Sequence, residues 1–269
     1  MQLYVIFLML CLGGAEAAVR KLADIPYARV DGKELKLDLY LPPDAAPVVV
    51  YVHGGAWRSG SKEKPPIAGL ADEGFAVASV EYRLSPVARF PAQLHDLQAV
   101  VRFLREKQAD YGYDARRIAI AGSSAGGHLA ALAGVTTDVQ AIVSFYGGSN
   151  LMTILQQSTP KGAAMRATAL QLLLGDVPEK TPELARMASP VFHVDRSDPP
   201  LLLLHGDQDP QMPIEQAYEL QAKYKELGLP VHLEVVPGAG HGGKEFYDPQ
   251  RMRLVIEFLK KHLRRQESD

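Results

Sequence analysis

The sequence lacks features that would each indicate a particular class of protein. Cysteine is nearly absent, because Cys11 is the only one in 269 residues. Cys11 also lies in a segment that we expect to be removed, so the mature chain would have no disulfide, no thiol nucleophile and no cysteine-bound metal. A charge excess is missing too, since 29 Lys and Arg residues stand against 31 Asp and Glu residues. This balance argues against nucleic acid as a partner.

The chain also lacks a hydrophobic run of membrane-spanning length near its N-terminus. The apolar run there covers residues 3–12, whereas a transmembrane helix needs about 20 residues. Ala15 and Ala17 follow in the small-x-small pattern that a signal peptidase accepts, although no Lys or Arg precedes the run. We therefore predict that residues 1–17 are a signal peptide and that the protein is secreted or periplasmic, without a stable membrane anchor. If they are not, the protein would be cytoplasmic.

What the sequence does contain is a regular alternation of apolar patterns, with 47% hydrophobic and 22% charged residues and no internal repeat. Mostly continuous apolar runs, preceded by one alternating run, predict strands at residues 30–41, 48–52, 75–80, 118–121, 141–145, 201–204 and 231–236. Helical spacing predicts helices at residues 92–107, 125–133, 214–227 and 251–263. Alternating strands and helices predict a doubly wound α/β sheet in one domain, residues 18–269.

One stretch interrupts this alternation. Residues 149–198 contain no buried-strand pattern, and helical patterns occur at residues 151–155, 163–174 and 182–187. We predict that this stretch is a helical cap inserted over the carboxyl edge of the sheet, the edge where ligands bind in such folds. An ordinary series of surface helices is the alternative.

A candidate nucleophile lies where the strand at 118–121 leads into the helix at 125–133. The residues Gly122-Ser123-Ser124-Ala125-Gly126 form a GxSxG pattern between that strand and that helix. A turn this tight needs glycines on both sides of the serine, because Cβ atoms there would clash. The pattern predicts that Ser124 is a nucleophile and that Ser123 is not. No Lys follows in the arrangement of a phosphate-binding loop, which argues against phosphate binding at this turn.

A second glycine-containing turn follows the strand at 48–52, in the sequence His53-Gly54-Gly55-Ala56-Trp57. Glycines allow main-chain N–H groups to point at a developing oxyanion, together with the N–H of the residue after the nucleophile. We therefore predict an oxyanion hole formed by Gly55, Ala56 and Ala125. His53 is expected to hold the turn by a hydrogen bond.

A serine nucleophile needs a general base, and 8 histidines are candidates. Only His241 lies in a flexible glycine-rich setting, Gly238 to Gly243, just after the last predicted strand. That position puts it at the carboxyl edge of the sheet, where it can reach Ser124. We predict that His241 is the base.

The base in turn needs an orienting carboxylate, and two acids follow the strand at 201–204. Asp207 comes directly after a glycine, where it is expected to brace the turn, whereas Asp209 lies farther into the loop and can face the histidine. We predict Asp209 as the orienting acid. Asp96, on a helix before the nucleophile, is expected to be a structural ion-pair partner. The chain order Ser124, Asp209, His241 is that of the α/β-hydrolases.

With these residues identified, the sequence resembles the α/β-hydrolase superfamily, in particular the bacterial feruloyl-esterase-like and hormone-sensitive-lipase-like carboxylesterases. The motifs HGGAW, EYRL, GSSAGG, HGDQD and GAGHG carry the resemblance, at residues 53–57, 81–84, 122–127, 205–209 and 238–242. The resemblance implies a mostly parallel eight-stranded sheet with helices on both faces, hydrolysis of carboxylic esters, and no cofactor or metal.

These observations favour a serine carboxylesterase that hydrolyses short-chain or aryl esters through an acyl-enzyme. Its partner would be a small-molecule ester or an ester linked to a polysaccharide. A feruloyl or acetyl-xylan esterase acting on plant cell-wall esters is one alternative, compatible with export and with Trp57 near the site. A prolyl-oligopeptidase-like serine peptidase, which shares the chain order, and a non-catalytic binding module on the same fold are the others.

Overall fold

A computed structural model describes residues 18–85 and 87–264 of the chain. The predicted signal peptide, residues 1–17, lies outside the described residues, so export remains a prediction. Among the helices of the described ranges, none is both long and apolar enough to span a bilayer.

The central element is a sheet of eight strands in the order β1-β2-β4-β3-β5-β6-β7-β8. The strands are β1 (Arg20–Val30), β2 (Lys33–Leu41), β3 (Pro47–Val52), β4 (Ala76–Val80), β5 (Asp114–Ser123), β6 (Ala141–Phe145), β7 (Leu201–Gly206) and β8 (Val231–Val236). Pairing is antiparallel from β1 through β2 to β4, and parallel from β4 through to β8. The mostly parallel eight-stranded sheet predicted for the chain is therefore confirmed.

Helices cover both faces of this sheet. They are α1 (Ala92–Glu106), α2 (Gln108–Tyr111), α3 (Ala125–Gly134), α4 (Ile154–Gln157), α5 (Pro160–Leu174), α6 (Pro182–Met187), α7 (Glu215–Glu226) and α8 (Pro249–His262). Strand β3 shows how the two faces form, because Val48 and Val50 enter one hydrophobic cluster while Val49 and Tyr51 enter the other. Helices α1, α3 and α7 contribute to the first cluster and α8 to the second. Burial on both faces explains why the strands read as continuous apolar runs.

Strand β1 is one element that the apolar pattern misses. Its register against β2 shifts between Leu22 and Ile25 and again between Pro26 and Ala28. These irregularities break the period of two that the side chains of a regular strand would show, and only Ile25 and Tyr27 are buried. The predicted strand at residues 30–41 is correspondingly shorter, because a turn at Asp31 and Gly32 separates β1 from β2.

The stretch without a strand pattern holds α4, α5 and α6, together with a short 3-10 helix at Pro190–Phe192. It connects β6 to β7, and its α5 contributes Ala169, Leu170 and Leu173 to the larger hydrophobic cluster. Helices are present at the three predicted places, although the first covers Ile154–Gln157 and not residues 151–155, because residues 151–153 form a turn. The division of the chain into one domain with a cap at residues 149–198 stays a prediction.

Candidate active site

The turn that carries Ser124 is strained and tightly packed. Strand β5 ends at Ser123, helix α3 begins at Ala125, and Ser124 between them has φ 55° and ψ −120°. Such a positive φ is uncommon for a residue with a side chain and is typical of functional turns. A Cβ on Gly126 would lie 2.0 Å from the carbonyl oxygen of Val52, so only glycine fits beside β3. The turn is therefore held with the serine hydroxyl at the carboxyl edge of the sheet.

Three side chains from different loops form one hydrogen-bonded line at this edge. Ser124 Oγ lies 2.7 Å from His241 Nε2, and His241 Nδ1 lies 2.7 Å from Asp209 Oδ2. The Asp209 side chain is fully buried, and the His241 side chain is 12% exposed. A buried carboxylate at Nδ1 favours a proton there, which leaves Nε2 as the acceptor for the serine hydroxyl. The structure thus brings together the three residues that the sequence predicts as nucleophile, base and orienting acid.

The loop after β7 is built to hold the Asp209 carboxylate. Its Oδ1 accepts hydrogen bonds from the backbone N–H groups of Gln211 and Met212, both at 2.8 Å. Asp207 faces elsewhere and accepts a hydrogen bond of 2.7 Å from the N–H of Gly238, at the start of the loop that carries His241. Asp207 therefore braces that loop, as expected from its position after Gly206.

The loop after β3 lies directly against the serine turn. A Cβ on Gly54 would be 3.3 Å from the Cβ of Ser124. The predicted oxyanion donors lie here and at the head of α3: Ala56 and Ala125 line one cleft beside Ser124, and Gly55 lines another. The N–H of Ala125 belongs to the first turn of a helix, whose N–H groups have no acceptor within the helix. Their role toward an oxyanion stays a prediction.

His53 holds this loop in place. Its Nδ1 lies 2.7 Å from the carbonyl oxygen of Gly54, and its ring stacks on Tyr82 with a centroid distance of 4.5 Å. The Tyr82 hydroxyl donates to the backbone carbonyl of His53 at 3.0 Å. Burial lowers the pKa of His53, which favours the neutral ring. The expected structural role of His53 is confirmed.

A second histidine, His128 on α3, connects three parts of the site, and the sequence pattern does not reveal it. Trp57 Nε1 donates to His128 Nδ1 at 3.1 Å, and His128 Nε2 lies 2.7 Å from the carbonyl oxygen of Ala188, just after α6. Burial lowers the pKa of His128 to about 4, so the ring is neutral at pH 7. Its Nε2 therefore donates to Ala188. The side chain ties the loop after β3 to the serine helix and to residues 149–198.

The remaining polar candidates lie away from the line. Asp96 forms an ion pair with Arg83 at 2.7 Å, as expected of a structural partner. His205 is buried at the end of β7, where its Nε2 lies 2.8 Å from the carbonyl oxygen of Met212. His232 is on β8, with its side chain 55% exposed. Within residues 18–85 and 87–264, no group of three or more His, Cys, Asp or Glu side chains could hold a metal ion.

Two clefts meet at Ser124 and His241. One lies between the loop after β3 and helix α5, and Met165 and Arg166 of that helix line it. The other is more open and runs past Gly54 and Tyr146. The candidate nucleophile and base are therefore reached from both clefts, one under α5 and one more open.

The sheet order, the strained serine turn and the later acid and histidine define a protein of the α/β-hydrolase fold. The chain belongs to the BD-FAE family, whose sequence profile matches residues 37–224. The resemblance inferred from its motifs is thereby confirmed.

Individual relatives agree with this assignment. The chain is 34% identical to esterase LipC of Mycobacterium tuberculosis over 222 residues, covering 75% of this chain and 54% of LipC. It is 31% identical to esterase LipQ of the same organism over 258 residues, covering 87% of this chain and 60% of LipQ. A solved structure described as a truncated carbohydrate esterase from gut microbiota matches with a TM-score of 0.83 at 27% identity, over 93% of this chain and 98% of that one. The chain thus spans little more than half the length of the two mycobacterial relatives.

Proposed function

We propose that this protein is a serine carboxylesterase that hydrolyses short-chain or aryl esters. The observation that carries the proposal is the line Ser124–His241–Asp209, with two contacts of 2.7 Å, placed at the junction of two clefts. A free serine hydroxyl is hardly ionised at neutral pH, so it needs this adjacent base. The names of LipC and LipQ support an ester as the substrate over a peptide.

The geometry accounts for each step of acyl transfer. Ser124 Oγ attacks the ester carbonyl while His241 Nε2 takes the hydroxyl proton, and a tetrahedral intermediate forms. Asp209 stabilises the imidazolium through Nδ1. Collapse of the intermediate breaks the bond to the alcohol, which leaves with the proton from His241. A water molecule then gives up a proton to His241 and attacks the carbonyl carbon of the acyl-enzyme. The second tetrahedral intermediate breaks its bond to Ser124 Oγ, which takes the proton back from His241, and the acid is released.

Backbone N–H groups would stabilise the charge that develops on the carbonyl oxygen. In this proposal the donors are Gly55, Ala56 and Ala125. The backbone of Ala56 and of Trp57 has φ values of 51° and 59°, and such unusual backbone geometry is common at functional turns. Each donor of this kind contributes roughly 10²–10³ in rate.

An ester carried on a polysaccharide is the second candidate substrate. It is favoured by the open cleft beside Gly54 and Tyr146, which gives a bulky alcohol room to extend into solvent. The similarity to a carbohydrate esterase supports it as well. Feruloylated and acetylated xylan are the substrates to compare with p-nitrophenyl acetate.

The direct test is the replacement Ser124→Ala. We expect kcat on p-nitrophenyl acetate to fall by about 10⁶. The neighbouring Ser123→Ala is the matched control and should keep kcat within about tenfold, because the Ser123 hydroxyl contacts Tyr51 at 2.9 Å and not His241. A fluorophosphonate, which loses fluoride as a serine oxygen bonds to phosphorus, should label Ser124. Unchanged activity of Ser124→Ala, or a preference for aminoacyl-anilides over esters, would contradict the proposal.

We also propose export, on the grounds of the apolar run at residues 3–12 and the small residues Ala15 and Ala17. Expression of the full chain followed by mass spectrometry of the secreted or periplasmic protein tests it. A mature N-terminus at Ala18 is expected. An intact N-terminus on a cytoplasmic protein would contradict export without affecting the esterase proposal.

A further inference from the structure

Arg166 is a buried cation in the cleft under α5, and neither the nucleophile, the base nor the oxyanion donors use it. The residue lies on α5, is 7% exposed, and lines the same cleft as Ser124 and His241. Burying a guanidinium is costly unless another group compensates its charge. The charge of Arg166 therefore needs a compensating group.

Other partly buried arginines in the described ranges have a carboxylate that compensates their charge. Four of them form ion pairs: Arg83 with Asp96, Arg105 with Asp138, Arg117 with Asp114 and Arg251 with Asp248. Arg166 is more buried than any of these and forms no ion pair with a carboxylate of residues 18–85 or 87–264. Asp209 is the acid whose charge bears on it through space, but that carboxylate is already occupied by His241 and two backbone N–H groups.

The Arg166 guanidinium is held in place by a hydrogen bond, but the described residues do not use all of its N–H donors. Within the described part of the chain, its hydrogen bond runs from Nη1 to Ser158 Oγ, and the Ser158 hydroxyl donates to the Ile154 carbonyl at 2.5 Å. A guanidinium has five N–H donors, so most of its capacity is free. Because Arg166 lines the cleft, we infer that these donors are available to a ligand bound there.

The cleft itself has a positive character. Its charged lining residues are Arg166 and the exposed Arg58, and no Asp or Glu of residues 18–85 or 87–264 lines it. Burial lowers the pKa of Arg166 only to about 10, so the side chain stays charged at neutral pH. A neutral acyl chain would leave this charge uncompensated, whereas a carboxylate can pair with it through two parallel hydrogen bonds.

We propose that the preferred ester substrate carries a carboxylate on the part that occupies the cleft under α5, and that Arg166 binds it. This inference rests on the proposed esterase function and narrows its substrate class to anionic esters, such as monoesters of dicarboxylic acids or hydroxy acids acylated on their hydroxyl group. The carboxylate binds Arg166 while the ester carbonyl lies at Ser124. Arg166 is then a specificity-determining residue.

Kinetics on matched esters test the proposal. p-Nitrophenyl hemisuccinate and hemiglutarate are compared with the neutral butyrate and valerate, and 4-acetoxybenzoate with its methyl ester, so that the charge lies on either side of the ester bond. Rates with Ser124→Ala supply the uncatalysed background. We expect the wild type to favour an anionic member of at least one set, and Arg166→Gln to reduce that preference by about 10–100-fold.

Two further variants test whether the preference for anionic esters depends on Arg166 in particular. Arg166→Lys should recover part of the preference, because it restores the charge but not the two-pronged hydrogen bonding. Arg58→Gln removes an exposed cation from the same cleft, where solvent and salt screen it, and should change the preference by less than about threefold.

A binding measurement separates this inference from the esterase proposal. Monomethyl succinate should raise the melting temperature of Ser124→Ala, and should not raise that of the double variant that also carries Arg166→Gln. If no ester is hydrolysed but this shift appears, the esterase proposal fails and the anion site stands. If esters are hydrolysed, yet Arg166→Gln affects anionic and neutral esters equally or the shift is absent, Arg166 serves only to anchor Ser158 and the inference is wrong.

Discussion

Two regions of this molecule meet at Ser124, and they are built differently. The first, the loop edge, consists of the loops that follow β3, β5, β7 and β8, together with the first turn of α3, and it carries Ser124, Asp209 and His241. The second, the helical segment, is residues 149–198 with α4, α5 and α6. In the loop edge, main-chain atoms pack directly against one another. For example, a Cβ on Gly126 would collide with the main chain of Val52. In the helical segment, side chains such as Met165 and Arg166 line the cleft.

The contrast extends to exposure. Three large apolar side chains of the helical segment are exposed, Met165 at 59%, Met187 at 48% and Phe192 at 40%. The loop edge instead buries Trp57 and the whole Asp209 side chain. We infer that the loop edge sets the chemistry and tolerates little change, whereas the helical segment sets which ester fits and tolerates more.

After loss of the nucleophile itself, the largest expected effect concerns the acid in the loop edge. Asp209→Asn should lower kcat on p-nitrophenyl acetate by about 10⁴, because an amide at this position no longer favours the proton on His241 Nδ1. Steady-state kinetics at neutral pH measure it. Asp207→Asn is the matched control, and its amide oxygen can still accept from the Gly238 N–H. Equal losses in the two variants would show that bracing the loop, and not orienting His241, is what matters.

Tight backbone packing in the loop edge gives the next effect. Gly126→Ala should lower the free energy of unfolding by about 3 kcal/mol or more, because the added Cβ would lie 2.0 Å from Val52 O and force backbone to move. Urea unfolding measures the change. Gly69→Ala, where a Cβ would meet no atom within 4 Å, should stay within about 0.5 kcal/mol of wild type. A stable, fully active Gly126→Ala protein would remove the distinction between the two regions.

His128 joins the two regions and should make their connection sensitive to pH. Burial lowers its pKa from 6.5 to about 4, so the unfolded chain binds a proton in this interval that the folded protein does not. The contribution of neutral His128 to the free energy of unfolding is therefore complete above the unfolded-state pKa. It decreases as the pH falls from about 6.5 toward 4, by on the order of 1–3 kcal/mol.

Unfolding free energies at several pH values check this prediction. His128→Gln should show a shallower loss of stability between those pH values than wild type, whatever its absolute stability. His232→Gln, which removes a side chain that is 55% exposed, should leave the slope unchanged. The same slope in wild type and His128→Gln would mean that other buried groups, such as His53 and His205, carry the effect.

The smallest expected effect lies in the helical segment. Met165→Ala should change the free energy of unfolding by less than about 0.5 kcal/mol, because the side chain is 59% exposed. It should nevertheless alter the ratio of kcat/KM between p-nitrophenyl hexanoate and acetate by about 3–10-fold, since Met165 lines the cleft. An unchanged ratio would place the acyl chain in the other cleft, beside Tyr146.

Much of the site could be predicted from the chain because its residues occur in local patterns. Ser124 sits between a buried strand and a helix, and His241 follows the last strand among glycines. Strand β1 was missed because its bulges break the alternation that a strand normally shows. The link from Trp57 through His128 to Ala188 was missed for a different reason: His128 occupies an ordinary helical position, 71 residues from Trp57 and 60 from Ala188.

By itself, the sequence determined the alternating architecture and the order Ser124, Asp209, His241, because parallel strands bring their carboxyl ends to one edge and short-range patterns mark those ends. Only the tertiary structure decided that Arg166 lines the cleft without a carboxylate partner among the residues that the structure describes. The pairing of a buried charge depends on distances between side chains that are remote in the chain. The apolar periodicity of a helix such as α1 indicates which side is buried, but not which charged group of another element lies opposite a given side chain.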